Sequence, residues 1–204
     1  MIRGFADRLT AAIFANRKPK RFPPDALSAA RRKLTVLDAA ETLIDLRVPP
    51  GNRLEALTGD RAGQYSIRIN DRWRLCFEWR DDGPHEVEIV DYHDQEGKMT
   101  LARETLNRET FADIAESGRL DPVTPGEVLR EEFMVPLGLS ARGLARDLGV
   151  SPDRITMIMR GERGITAETA ILLGRRFGNS ARFWLNLQVA HDLAIAERAL
   201  ADAA

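Results

Sequence analysis

One cysteine and three histidines in 204 residues leave little material for metal or redox chemistry. His85, His93 and His191 are scattered and Cys76 has no second cysteine to join it, so no zinc ligand set can be assembled and no metal or other cofactor is expected. The lone thiol fits a reducing compartment. Lying between Leu75 and Phe77 in an apolar stretch, it reads as a buried structural group rather than a nucleophile. Also missing is any apolar run long enough to span a membrane. Met1 to Phe5 leads straight into mixed polar sequence with neither a signal-peptide core nor a lipidation motif, and the expectation is a cytoplasmic protein. Net charge is almost absent too: 30 Lys and Arg stand against 31 Asp and Glu, giving -1. The chain as a whole is therefore not drawn to nucleic acid, and any such binding must come from local patches. What is present, 44% hydrophobic and 30% charged residues, suits a soluble protein long enough for two small domains.

The most informative stretch is LSARGLARDLGVSPDRITMIMR, Leu139 to Arg160. Leu144 and Leu148 lie four apart on one helical face, and Ile155 and Ile158 three apart on the next, so two short helices turn apolar stripes toward a shared core. Ala145 lets them approach. Gly149 ends the first helix in a left-handed conformation, and Ser151 and Pro152 supply the N-cap and first position of the second. This is the pattern of a helix-turn-helix. Its second helix presents Asp153, Arg154, Thr156, Met157 and Arg160 away from the core, with Ser151 at its start, a polar and partly basic face suited to a DNA major groove. Around it, Thr124-Pro125-Gly126-Glu127 reads as a capping box opening a helix through Leu129 and Phe133. Thr166 caps a helix to Phe177 closed by Gly178, and Ser180 opens a longer one carrying Phe183, Trp184, Leu187 and His191. Five helices make a compact all-α domain. Its last helix has apolar surface to spare, and two-fold DNA readers need a dimer contact, so a homodimer is expected.

The first part of the chain has a different rhythm. Basic residues at 17, 18, 20 and 21 precede a helix from about Asp25 to Ala40, where Leu27, Ala30, Leu34 and Leu37 recur at helical spacing and leave Arg31, Arg32 and Lys33 on the outer side. After Pro49-Pro50-Gly51 the period falls to two. Ser66 to Ile69 is a first strand, Asn70-Asp71 a tight turn, and Trp73 to Arg80 a second strand with Trp73, Leu75, Phe77 and Trp79 on one face and Arg74, Cys76, Glu78 and Arg80 on the other. Asp81 to Pro84 forms the next hairpin. Val87 to Tyr92 is a third strand in which Val87 and Ile89 are succeeded on their face by Asp91 and His93, a strand end with the character of a chemical site. The fold class is α+β: helices against an antiparallel sheet over residues 1–94, a linker of partly helical character over 95–123, and the helical domain over 124–204.

PPGNRLEALTGDRAGQYSIRINDRWRLCFEW, Pro49 to Trp79, with VEIVDYH, Val87 to His93, closely resembles the HigB branch of the RelE-type toxins. TPGEVLREEF, PLGLSARGLARDLGVSP and RGITAETAILLGRRFGNSARFWLNLQ resemble the HigA antitoxins of the lambda-repressor-like class. Together the two resemblances cover most of the chain and join toxin and antitoxin in one polypeptide, toxin first.

The resemblance implies a RelE-like fold and a ribosome-dependent endonuclease that cuts mRNA by attack of a ribose 2′-hydroxyl on the adjacent phosphate, a chemistry that requires no metal. Arg68, Arg74, Asp91, Tyr92 and His93 match the functional positions. On this reading His93 carries the proton, Asp91 orients it or shares that work, Arg68 and Arg74 hold the phosphate, and Tyr92 stacks on a base. Thr58 stands where related sequences often carry a lysine, so Arg53 or Arg61 is the candidate substitute for binding RNA phosphate. The partners implied are mRNA on the ribosome for the first domain and operator DNA for the second, with the attached antitoxin silencing the toxin and repressing its operon. The competing reading is a dimeric transcriptional repressor whose toxin-like domain is catalytically inactive and serves assembly.

Overall fold

The computed structural model describes residues 1–19, 22–92 and 118–203. The chain divides into two compact units, one of residues 1–38 with 52–121 and the other of residues 39–51 with 122–204. The expected linker falls mostly outside the described residues.

In the first unit α1 (Arg8–Phe14) and α2 (Pro24–Ala39) accompany an antiparallel sheet in the order β1 (Glu55–Ala56), β2 (Gln64–Arg68), β3 (Trp73–Arg80) and β4 (Gly83–Asp91). The α2 bounds match the leucine spacing, and β3 is as expected. The Asn70 side chain makes the β2–β3 turn by accepting from the N–H groups of Arg72 and Trp73 at 2.9 and 2.8 Å, the local competition with regular structure that asparagine favours. Paired residues Ile67, Leu75 and Ile89 lie side by side on one sheet face and are buried with Leu9, Ile13, Leu34 and Leu37 of the helices.

Sequence periodicity gave no sign of α1, whose start is tied to the sheet through Thr10. Asp7 caps it, accepting from the Thr10 N–H and hydroxyl at 2.7 and 2.6 Å, while the same fully buried hydroxyl accepts the Ile89 N–H at 2.9 Å. Burial raises the Asp7 carboxyl above its ordinary value, and Thr10 opposes the shift. One correction concerns α2: Lys33, expected on the outer side, is buried, its ammonium donating to the Asn52 side chain at 2.7 Å. A side-chain oxygen placed by the loop after residue 51 makes that burial tolerable.

The second unit carries α3 (Leu43–Arg47) and the helical domain. There α4 (Pro125–Val128) runs on as a π-helical stretch over Leu129–Met134, followed by α5 (Ala141–Leu148), α6 (Pro152–Met159), α7 (Ala167–Phe177) and α8 (Ala181–Asp202). All five starts are capped as the sequence predicts in four cases, with Thr124, Ser151, Thr166 and Ser180 each accepting a backbone N–H three residues on, and Ser140 does the same for α5. Gly149 and Gly178 end α5 and α7 in the left-handed conformation, at φ 68° and 84°. The π-helical stretch carries Phe133, whose ring lies 4.7 Å from Trp184 and 4.9 Å from Phe177. These rings form the centre of the unit.

Candidate functional site

Register decides which of the expected catalytic residues meet. Arg68 pairs directly with Arg74, and Arg74 with Val90, so both arginines project from the sheet face opposite Ile67, Leu75 and Ile89. Tyr92, two residues beyond Val90, joins them: the Arg74 guanidinium sits 5.5 Å from the centre of its ring. Asp91 pairs with Trp73 on the other face, where its carboxylate accepts from Arg72 Nε at 3.1 Å to Oδ1 and 2.9 Å to Oδ2, and from Nη2 at 2.5 Å to Oδ2. The five-residue constellation is thus divided by the pleat, with Arg68, Arg74 and Tyr92 on one side and Asp91 on the other. His93 lies outside the described residues.

The face carrying the two arginines is only partly solvated, with Tyr92 exposed, Arg68 half-buried and Arg74 buried. Arg74 is 8% exposed, donating to Ser66 Oγ at 2.9 Å and to the Arg53 carbonyl at 3.0 Å, and pairing with Glu55 at 3.0 Å. Arg53 turns that carbonyl inward from a left-handed backbone, φ 44°, a conformation costly for a residue with a Cβ, and its side chain is exposed. Arg68 pairs with Asp71 and donates to the Asn70 carbonyl. Arg61, expected to reach RNA phosphate, is instead 6% exposed and ion-paired with buried Glu88. A guanidinium there belongs to the sheet's core. Cys76 shares this interior, and burial pushes its thiol up to about 11, with Arg61 and Arg74 opposing the shift and Glu88 adding to it, so it stays protonated at neutral pH. The surface group left is Arg53, Glu55, Arg68 and Tyr92 over the buried Arg74. It can offer two guanidinium groups to one phosphate if the phosphate displaces Glu55 and Asp71.

In the helical domain the expected face is open. Ser151, Asp153, Met157 and Arg160 are exposed and Arg154 and Thr156 half-buried, while Ile155 and Ile158 are buried. Arg154 is held at 3.3 Å from Glu168 of α7, and the Thr156 hydroxyl donates to the Pro152 carbonyl at 3.0 Å. A tight fit fixes the helix: a Cβ on Gly126 would lie 1.9 Å from the Ile158 carbonyl oxygen, so α4 meets the end of α6 backbone to backbone.

A family described as RelE-like toxin of type II toxin-antitoxin system HigB matches residues 3–94, and a helix-turn-helix family matches residues 129–184. Toxin HigB-1 of Vibrio cholerae is 44% identical over 78 residues, 38% of this chain and 82% of that protein. Antitoxin HigA-1 of the same organism is 40% identical over 72 residues, 35% of this chain and 68% of its own length. The chain belongs to the HigB–HigA family of toxin–antitoxin proteins. Virulence-associated protein I of Dichelobacter nodosus is 52% identical over 84 residues, 41% of this chain and 78% of that protein.

With a HigB-like and a HigA-like half in one polypeptide, the chain is a toxin–antitoxin protein whose second half is of the DNA-binding helix-turn-helix kind. Sequence reasoning missed Arg72 and Glu55 in the HigB-like half. Arg72 follows the turn and is aligned by the β3–β4 register with the end of β4. That register slips between Cys76 and Glu78, so counting residues back from the hairpin does not find the pair. Among the described residues no helix is long and apolar enough to cross a membrane.

Proposed function

We propose that the chain is a self-silenced toxin: its HigB-like half cuts mRNA on the ribosome, and its HigA-like half holds that activity down and, as a dimer, represses its own operon. The observation that carries the nuclease reading is the grouping of Arg68, Arg74 and Tyr92 on one sheet face. Attack of a ribose 2′-oxygen on the adjacent phosphate breaks the bond to the 5′-oxygen and leaves a 2′,3′-cyclic phosphate and a 5′-hydroxyl. The two arginines meet the charge that builds on the phosphorane, and Tyr92 supports a base. His93 takes the proton from the 2′-oxygen, and water supplies the proton that the departing 5′-oxygen needs to become the hydroxyl. Dimerisation uses α8, where Val189, Leu193 and Leu200 form an exposed apolar stripe. In cells, residues 1–98 are expected to arrest growth while the full chain and the short form with His93→Ala do not. Arrest by the full chain at equal expression would sink the silencing claim.

A second reading, a dimeric repressor with an inactive toxin-like assembly domain, is favoured by one feature: Arg68, Arg74 and Arg72 are each already paired with a carboxylate, from Asp71, Glu55 and Asp91. It requires that His93→Ala change no phenotype. Both readings share the DNA contact. Arg154→Ala and Arg160→Ala are each expected to weaken specific binding by about 1–3 kcal/mol if they read bases, or to lower the salt dependence if they hold phosphates. Gel-shift titrations across salt concentrations check this, and unchanged affinity for both variants would remove α6 as the reading helix.

A further inference from the structure

The compact units and the sequence halves do not coincide. Residues 39–51 lie within the HigB-like match, 3–94, yet they pack as part of the helical unit. Residues 118–121, just ahead of the HigA-like half, pack in the sheet-bearing unit. Within the helical unit the displaced segment is held by a buried charge. Asp45 is 1% exposed, and its Oδ2 accepts the N–H groups of Glu41 and Thr42 at 3.0 and 3.2 Å, at the start of α3. The same carboxylate accepts from Ser180, the N-cap of α8, through Oδ1 from the N–H at 2.9 Å and through Oδ2 from the hydroxyl at 3.4 Å. Two helix starts therefore share one carboxylate, the group that N-terminal N–H donors and the helix dipole favour. Asn186 donates to the Ala39 carbonyl at 3.0 Å, Arg182 reaches Glu41 at 3.5 Å, and Leu46 is fully buried. In the sheet-bearing unit Leu120 N–H donates to the Asn16 carbonyl at 2.7 Å, Lys18 N–H to the Gly118 carbonyl at 3.3 Å, and Arg31 to the Asp121 carbonyl.

We infer that the HigA-like half grips its toxin through this exchange of segments, with residues 39–51 as the docking element and Asp45 as its anchor, so that cutting the tether between 95 and 117 does not by itself release the toxin. The inference rests on reading the halves as toxin and antitoxin. Release on this account requires unfolding or removing the helical half, not only separating it in sequence. Asp45 is suited to the anchor role because its buried carboxylate gathers three backbone N–H groups and a hydroxyl, and its loss leaves all four without that partner.

The test uses the full chain carrying a protease site between Gln95 and Ser117, cut after purification and followed by sedimentation at micromolar concentration. The cut wild type is expected to stay one complex. Asp45→Ala with Asn186→Ala, shown by circular dichroism to be folded before cutting, is expected to bind its halves at least tenfold more weakly. Because the buried variant can fail to fold, a surface pair is tested beside it: Arg182→Glu weakens the cut complex, and adding Glu41→Arg restores it. Separation of the cut wild type, or an unchanged complex in both sets of variants, overturns the inference. Association is read without nuclease activity, so an inactive toxin half would leave this result standing and would instead fail the growth test.

Discussion

Arg61→Ala is expected to destabilise the sheet-bearing unit by about 3–5 kcal/mol, because it leaves the Glu88 carboxylate buried without its counter-charge. Replacing both partners with apolar residues of similar volume recovers most of the loss, since the pair's own desolvation cost goes with it. Urea unfolding, with the β-sheet amides followed by hydrogen exchange, separates this unit's stability from that of the helical unit. The result also decides between two roles. A phosphate ligand would lose RNA cleavage at unchanged stability, whereas the buried pair predicts a loss of stability that the double replacement reverses.

Gly126→Ala carries the second large effect. A Cβ at 1.9 Å from the Ile158 carbonyl oxygen and 2.9 Å from the Met159 Cα meets backbone on a neighbouring helix, which cannot rotate away as a side chain would. Overpacking of this kind costs typically about 1–3 kcal/mol and more where both sides are fixed, so about 3 kcal/mol or above is expected. The strain falls on the end of α6. Specific DNA affinity should drop with stability, and a variant that melts and binds like the parent would show that the two helices do not touch as described.

Local chemistry made the helical half legible. Thr124, Ser151, Thr166 and Ser180 cap where their residue types demand it, and Gly149 and Gly178 stop helices where a left-handed residue is cheapest. Each signal needs only its immediate neighbours. In the sheet, the alternation from Trp73 placed β3 and its two faces correctly, while the fate of the polar face depended on contacts distant in sequence. Arg74 is drawn into the interior by the carbonyl of Arg53 and the carboxylate of Glu55, and Arg61 by Glu88, 27 residues on. No periodicity encodes those pairings. The same holds for Lys33, whose burial depends on Asn52, and for Asp45, whose partner Ser180 is 135 residues away. At the candidate site the residue types and the faces were readable, with Asp91 following Val87 and Ile89 opposite Arg74, but the carboxylates that pair with the arginines were not.

The most direct measurement compares mRNA cleavage in a translating extract by residues 1–98, shown to be folded, by the full chain, and by the short form with His93→Ala. Cleavage by the first alone, yielding 5′-hydroxyl ends, is the expected result and establishes a nuclease held silent by its attached half. Cleavage by none of the three, with ribosomes active, contradicts the nuclease and leaves the HigB-like half as a scaffold for a DNA-binding dimer.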